Sequence, residues 1–127
     1  MTPNDRKFTK THEWVKIDGA NAVVGISDHA QDSLGDITFI ELPSVGKKAI
    51  QGKACCVIES VKAASDINAP VSGEIAAVNR ETQSQPEMVN KDPYGKGWIF
   101  KIKNFSNNEL DSLMDSQSYD AFVSSEA

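Results

Sequence analysis

The chain has 127 residues, an apolar fraction of 39% and a formal charge of −5. This length and composition predict a single globular domain over residues 1–127, with short flexible termini. The acidic balance disfavours nucleic acid and anionic membranes as partners, because both are polyanions. No segment has the apolar core of a signal peptide or the length of a membrane span, so a cytoplasmic location is expected.

The first half of the chain alternates short β-branched runs with turn residues. Residues 22–26 and 37–42 predict strands, and Pro43 ends the second. Between them, Ser27 or Asp28 can cap a short helix that closes at Gly35.

The middle of the chain predicts two further strands. Residues 54–58 are almost entirely apolar, which is typical of a strand covered on both faces. Within this run, Cys55 and Cys56 would point to opposite faces and therefore make a poor metal site. We interpret both cysteines as small buried apolar residues. A turn at residues 70–73 precedes the next strand, at residues 74–78.

The last third of the chain changes its periodicity. Residues 92–95 predict a turn, and residues 98–103 alternate with the period of two that is typical of a strand. Ser106 and Glu109 have the spacing of a capping box, which predicts the start of a helix. An apolar stripe over residues 110–122, interrupted near Ser116, predicts one or two short helices on a sheet. Many short strands between Gly and Pro turns predict a small sandwich or barrel.

Most familiar reactive motifs are missing. His12 and His29 are the only histidines. Their separation matches no zinc motif and no Gly-x-Ser-x-Gly elbow is present, so neither a metal site nor a catalytic residue is predicted. The glycines of residues 94–98 match neither the P-loop nor the dinucleotide fingerprint.

One lysine lies in unusual surroundings. Residues 59–66 place Lys62 among small and apolar neighbours between two strand-like runs. From the pattern alone an inert, solvated side chain is favoured, because most lysines are exposed. Moreover, residues 61–63 contain no turn-forming residue, so turn chemistry alone does not predict a hairpin tip there.

The surrounding sequence is more informative than the lysine alone. Residues 57–66 read Val-Ile-Glu-Ser-Val-Lys-Ala-Ala-Ser-Asp, and residues 69–74 read Ala-Pro-Val-Ser-Gly-Glu. Together they resemble the lipoylation segment of glycine cleavage H proteins. Further matches follow in the order of that family, at residues 12–15, 24–31, 34–37, 39–43, 89–90, 92–95 and 97–98. The resemblance extends over about residues 7 to 122.

This resemblance implies a mainly β fold, the barrel-sandwich hybrid of lipoyl domains. Two small sheets would pack together, with short helices that include C-terminal ones. It also implies that Lys62, at an exposed hairpin tip, carries lipoic acid in amide linkage. A lysine offers a long flexible stem, and the cofactor performs the chemistry. The protein would be a carrier and not an enzyme.

The implied partners belong to the glycine cleavage system. Glycine decarboxylase (P protein) passes an aminomethyl group to the lipoamide arm, and the tetrahydrofolate-dependent aminomethyltransferase (T protein) removes it. Dihydrolipoyl dehydrogenase (L protein) reoxidises the dithiol, and lipoate-attaching enzymes load the lysine. We hypothesise that Glu13, Ser65 and Asp66 help to line a cleft for the loaded arm, where charge-assisted hydrogen bonds can hold its ammonium.

Several alternatives are weighed against this interpretation. Biotin carriers flank their lysine with methionines, whereas Val61 and Ala63 flank Lys62 here. Lipoyl domains of 2-oxoacid dehydrogenases are usually tethered by flexible linkers, and this sequence has none. An additional lipoate-relay role stays open. In an enzyme with a Schiff-base lysine, the carboxylates Glu59 and Asp66 would keep the amine protonated and poorly nucleophilic.

Overall fold

The computed structural model describes residues 2–126, which form two antiparallel β-sheets with short helices around them. The strands of the described chain are β1 (Lys7–Phe8), β2 (Glu13–Asp18), β3 (Asn21–Ile26), β4 (Ile37–Glu41), β5 (Lys48–Ala49), β6 (Ala54–Ser60), β7 (Ala64–Asn68), β8 (Gly73–Val78) and β9 (Phe100–Lys103). Its helices are α1 (Asp28–Leu34), α2 (Glu81–Ser84), α3 (Glu87–Lys91), α4 (Asn107–Leu110) and α5 (Ser116–Glu126). None of these helices is both long enough and apolar enough to cross a bilayer.

The two sheets share one apolar core. The larger sheet has the strand order β1-β2-β3-β9-β8-β5, and the smaller has the order β4-β6-β7. Ile40 and Ile58 of the smaller sheet and Val24, Ile75 and Ile102 of the larger are at most 1% exposed and belong to the same cluster. Inward-facing β-branched residues from both sheets are what a sandwich requires. The expected mainly β fold of two small sheets with short helices is confirmed.

The paired cysteines lie at an irregularity of β6. The register against β7 shifts between Ala54 and Cys56, so that Ala54 pairs with Asn68 and Cys56 with Ile67. Such a bulge breaks the alternation of sides. Cys55 and Cys56 are consequently both buried, at 7% and 5% exposure, and burial raises the pKa of each thiol. Their interpretation as buried apolar residues is confirmed.

Helix α1 begins and ends as its sequence predicts. Ser27, and not Asp28, is the N-cap, and its hydroxyl accepts a hydrogen bond from the Ala30 backbone N–H at 3.1 Å. Gly35 closes the helix with a φ of 79°, and its N–H donates to the Gln31 carbonyl at 3.0 Å. That positive φ favours glycine, because a Cβ is disfavoured in this region.

The helix start predicted at Ser106 is confirmed by α4, but the capping-box hydrogen bonds between Ser106 and Glu109 are absent. The Ser106 side chain makes no capping hydrogen bond. Instead, the Glu109 carboxylate accepts hydrogen bonds from the Ser72 N–H at 2.6 Å and from the Ser72 hydroxyl at 2.9 Å. A part-buried N–H in another segment needs a partner, and this tertiary demand outweighs a local cap at an exposed helix start. The predicted interruption near Ser116 is confirmed, since α5 begins there.

A second, aromatic cluster lies on the outer side of the larger sheet's first strands and is formed by Phe8, Trp14 and Tyr119. Phe8 stacks on Tyr119 with ring centroids 4.5 Å apart. The indole N–H of Trp14 donates to the Ile26 and Pro93 carbonyls at 3.0 Å each. Gly25 lies under this ring, where an added Cβ would approach the indole to 2.6 Å. We call this group the aromatic cluster; through Tyr119 it attaches α5 to the sheet.

Candidate functional site

Lys62 lies at the tip of the β6–β7 hairpin. These strands pair antiparallel up to Glu59 and Ala64, so residues 60–63 form the connection. Val61, Lys62 and Ala63 are all exposed. Within residues 2–126, no hydrogen bond or ion pair engages the Nζ of Lys62, and neither Glu59 nor Asp66 pairs with it. The amine is therefore accessible to solvent at the turn of the hairpin.

Ser60 supplies the turn chemistry that residues 61–63 lack. Its N–H donates to the Ala63 carbonyl at 2.8 Å. Its hydroxyl oxygen accepts from the N–H groups of Lys62 and Ala63, at 3.2 Å each. Ser and Thr hydroxyls close turns in this way by substituting for a backbone group. Ser60 is the signal in the sequence from which the hairpin could have been predicted.

The hairpin tip rests against the corner between α1 and β4. The Val61 N–H donates to the Asp36 carbonyl at 3.0 Å. A methyl group on Gly35 would lie 3.4 Å from Cε of Lys62 and 3.6 Å from Cγ2 of Val61. Gly35 thus closes α1 beside the lysine stem, and a methyl group there would make only ordinary van der Waals contact with that stem. The hydrogen bond from Val61 to Asp36 limits the conformations of the backbone at the tip.

Asn90 of α3 holds that corner in place. Its Oδ1 accepts a hydrogen bond from the Ile37 N–H at 2.9 Å. Its Nδ2 donates to the Gly35 carbonyl at 3.0 Å and to the Gln31 side-chain oxygen at 2.8 Å. A single amide therefore links the end of α1 to the start of β4, directly beside the hairpin. Asn90 lies in one of the family-like motifs, but the pattern alone did not indicate this positioning role.

Glu13 is buried, with 1% exposure. Its Oε1 accepts hydrogen bonds from the hydroxyls of Thr9, at 2.6 Å, and Thr11, at 2.5 Å. Its Oε2 accepts from the Asn68 N–H at 3.2 Å, at the end of β7 far from the tip. Burial raises the pKa of Glu13, although the hydrogen bonds from Thr11, Thr9 and Asn68 partly oppose that shift. Glu13 links the start of β2 to the edge strand β7.

Ser65 and Asp66 are both exposed on β7. Because successive residues of a strand point to opposite faces, they do not share a face of the sheet. Ser65 pairs with Ile58 and Asp66 with Val57. No hydrogen bond in the described chain joins either residue to Glu13. Strand β7 nevertheless connects the three residues. It runs from the hairpin tip past Ser65 and Asp66 to Asn68, whose N–H donates a hydrogen bond to Glu13.

The two histidines are far apart along the chain but close together in the fold. The His12 and His29 rings have centroids 4.8 Å apart. Their separation along the chain is therefore no guide to their distance in the fold. Spacing along the chain could not indicate this contact, because the β2–β3 hairpin returns the chain from His12 to the start of α1.

Comparison with known proteins gives a consistent result. The glycine cleavage H-protein family model matches residues 6–126. A glycine cleavage system H protein of Thermus thermophilus is 52% identical over 125 residues, covering 98% of both chains. That of Methylacidiphilum infernorum is 55% identical over 117 residues, covering 92% of this chain and 91% of the relative.

A solved structure agrees at the level of the fold. The crystal structure of a glycine cleavage system H protein from Mycobacterium marinum superposes with a TM-score of 0.84 at 36% sequence identity, covering 94% of this chain and 96% of that one. The expectations of a shuttle role and of a carrier rather than an enzyme are confirmed. The chain belongs to the glycine cleavage H-protein family, the non-catalytic, lipoyl-carrying shuttle proteins of the glycine cleavage system.

Proposed function

We propose that Lys62 is the residue that carries the lipoyl group, as an N6-lipoyllysine. The observation that supports this most directly is an exposed amine with no hydrogen-bond or ion-pair partner among the described residues, at the end of an ordered hairpin. The site fits the cofactor, because amide formation needs an accessible nitrogen and a turn that an attaching enzyme can reach.

The residues around Lys62 contribute position. Ser60 closes the turn, and Asp36 accepts the Val61 N–H, so the backbone that bears the lysine is defined. When bound, the lipoyl group supplies a dithiolane that accepts an aminomethyl group and is later reoxidised. Acylation removes the charge of the lysine, while its flexible aliphatic stem keeps the attached group mobile.

The partners follow from the system to which the family belongs. We propose that the arm visits glycine decarboxylase, the aminomethyltransferase and dihydrolipoyl dehydrogenase, and that lipoate-attaching enzymes recognise the same tip. Two exposed apolar side chains support a shared docking surface. Val61, next to Lys62 in the hairpin, is 66% exposed, and Phe39, on the neighbouring strand β4, is 45% exposed. Apolar side chains left exposed next to a functional group suit transient contacts. The cytoplasmic location stays a prediction.

We further propose that the loaded arm folds along the edge of β7, between the exposed side chains of Ser65 and Asp66 on its two faces, towards Glu13 at the far end of the strand. A carboxylate can hold the ammonium of the aminomethyl group by a charge-assisted hydrogen bond. Asp66 is exposed and accessible to such a ligand. Glu13 is already hydrogen-bonded, but Oε2 accepts only one hydrogen bond, from the Asn68 N–H, and so keeps acceptor capacity. Shielding the labile group from water would slow its hydrolysis.

The attachment site is tested by intact mass. Chain produced in lipoate-replete cells should gain the mass of one lipoyl group, and peptide fragmentation should locate it on Lys62. Lys62→Arg should gain nothing. Lys53→Arg, at another exposed lysine near the same strand, is the matched control and should be modified fully. Modification of the Lys62→Arg chain would show that another lysine is the attachment site.

The cleft is tested by the lifetime of the loaded arm. Glu13→Ala and Asp66→Ala proteins would be loaded with the aminomethyl group, and its hydrolysis followed by ammonia release. Faster hydrolysis than in the unsubstituted protein supports the cleft. An unchanged rate for either variant removes that residue from the proposal. Asp18→Ala, at an exposed carboxylate on β2, is the control and should leave the rate unchanged.

A further inference from the structure

Three elements meet at the corner where His12, His29 and Glu126 lie. His12 precedes β2, His29 is in the first turn of α1, and Glu126 is the last residue of α5. One potential ligand atom from each lies within 4.8 Å of the other two. The His12 Nε2 is 3.3 Å from the Glu126 Oε1. Two imidazoles and a carboxylate therefore lie around one small volume.

The His12 ring is held in a fixed orientation. Its Nδ1 is 2.7 Å from the Tyr119 hydroxyl, which is itself 2.7 Å from the Ser27 hydroxyl. This chain of hydrogen bonds engages Nδ1 and leaves Nε2 directed towards Glu126. The His12 backbone has a φ of 76°, which is uncommon for a residue other than glycine. Metal-binding histidines are typically oriented by such a partner on their other ring nitrogen.

Glu126 is one of several carboxylates near the two histidines. The surface groove beside His29 also contains Asp28, Asp32 and Asp120. These carboxylates would attract a cation to the corner.

We propose that His12, His29 and Glu126 form a binding site for a divalent transition-metal ion, with Zn²⁺ the best match, and that the ion links the end of α5 to α1 and β2. Two imidazole nitrogens, one carboxylate oxygen and an open fourth position are a recurrent zinc donor set. With Zn–N distances of about 2.0–2.1 Å, the ligand atoms must approach one another more closely than they do without an ion. Glu126 is exposed at a helix end and is free to rotate inwards.

This site shares no residue with the Lys62 hairpin, and so it goes beyond the carrier role. Cys55 and Cys56 cannot substitute for it readily, because both are buried in the core with raised thiol pKa values. The chain contains no third histidine. Any response of imidazole nitrogens to metal therefore comes from this pair, and a titration can be assigned without ambiguity.

The test uses the full-length chain with unmodified Lys62, stripped with a chelator and titrated with ZnCl₂ in a calorimeter. We expect one Zn²⁺ per chain. Long-range ¹H–¹⁵N spectra should show both imidazoles shifting together. His29→Gln should weaken binding at least tenfold. Tyr119→Phe keeps the aromatic stacking but removes the partner of Nδ1, and should weaken binding by roughly 10- to 100-fold.

Controls separate this site from weaker binding elsewhere. Glu126→Gln should weaken binding, whereas Glu81→Gln, at an exposed carboxylate of α2, should not. Asp32→Asn removes one charge of the groove and should change the affinity by less than about threefold, as expected for a screened surface charge. The double variant Cys55→Ala, Cys56→Ala, which keeps both core positions apolar, should bind like the unsubstituted chain. Binding that survives His29→Gln, or that is lost with the cysteines, would overturn the site.

The link to α5 has a separate readout. If the ion joins α5 to the body, Zn²⁺ should slow amide hydrogen exchange across residues 116–126 in the unsubstituted chain. It should leave exchange in the His29→Gln chain unchanged. Zinc binding at the two histidines without slower exchange in α5 would refute the linking role.

Discussion

The Lys62 hairpin and the aromatic cluster are held in place by different interactions. At the hairpin, the side chains of residues 61–63 are exposed, and the turn is held by the Ser60 hydroxyl and a few backbone hydrogen bonds. In the aromatic cluster, Phe8 and Tyr119 stack on each other and are at most 2% exposed. The Trp14 ring is also buried, and its indole N–H donates a hydrogen bond to a backbone carbonyl. The first region displays a group, and the second holds the chain together.

This difference implies that stability and carrier function can be separated by substitution. A carrier must expose its attachment point to several enzymes. Because that part of the chain then buries little apolar surface, it contributes little to the free energy of unfolding. Stability must then come from regions that no partner needs to enter. Four substitutions test this division, from the largest expected effect on stability to the smallest.

Trp14→Ala should be the most damaging. It removes a buried indole, leaves a cavity and unpairs the carbonyls of Ile26 and Pro93. We expect a loss of about 4 kcal/mol in the free energy of unfolding, measured by urea denaturation. The molecules that remain folded should still be lipoylated at Lys62. A loss below about 1 kcal/mol would show that the aromatic cluster is not a main source of stability.

Asn90→Ala should have an intermediate effect that reaches the hairpin indirectly. The Ile37 N–H and the Gly35 carbonyl lose their partner in a part-buried place, which should cost about 2 kcal/mol. Because this corner supports the tip, the rate of lipoylation by the attaching enzyme should also fall. Asn108→Ala, at an exposed asparagine of α4, is the matched control and should change neither quantity.

Ser60→Ala should affect the tip alone. The N–H groups of Lys62 and Ala63 lose their acceptor, at a cost of about 1 kcal/mol, which corresponds to about fivefold faster amide exchange at these two residues. Hydrogen exchange followed by NMR measures this directly. Ser44→Ala, in an exposed loop, should leave exchange at the tip unchanged. Unaltered exchange in the Ser60 variant would mean that the backbone alone closes the turn.

Lys62→Arg should have the smallest effect on stability and the largest on function. The lysine Nζ has no partner in the described structure, so the free energy of unfolding should change by less than about 0.5 kcal/mol. Lipoylation should nevertheless be lost completely, because a guanidinium does not form the amide. A substantial loss of stability would contradict the comparison, since it would show that Lys62 also supports the fold.

Much of the architecture followed from local signals. The strands at residues 22–26, 37–42 and 74–78 and the helix from Ser27 to Gly35 were predicted from periodicity, caps and turn residues, which act over a few positions. The prediction missed β2, α2 and α3. It also missed β1 and β5, since two-residue strands carry no periodicity and exist only where a neighbouring strand pairs with them. The capping box failed for the same reason, because Ser72 binds Glu109 from elsewhere in the fold.

The sequence by itself determined the family, the two-sheet class and the lysine that is proposed to carry the cofactor, because motifs and short-range periodicity are written along the chain. Only the tertiary structure decided how Asn90 supports the hairpin, why Glu13 is buried and that His12 meets His29. These contacts join residues far apart in the chain, and they depend on strand pairing and packing, which no local pattern encodes.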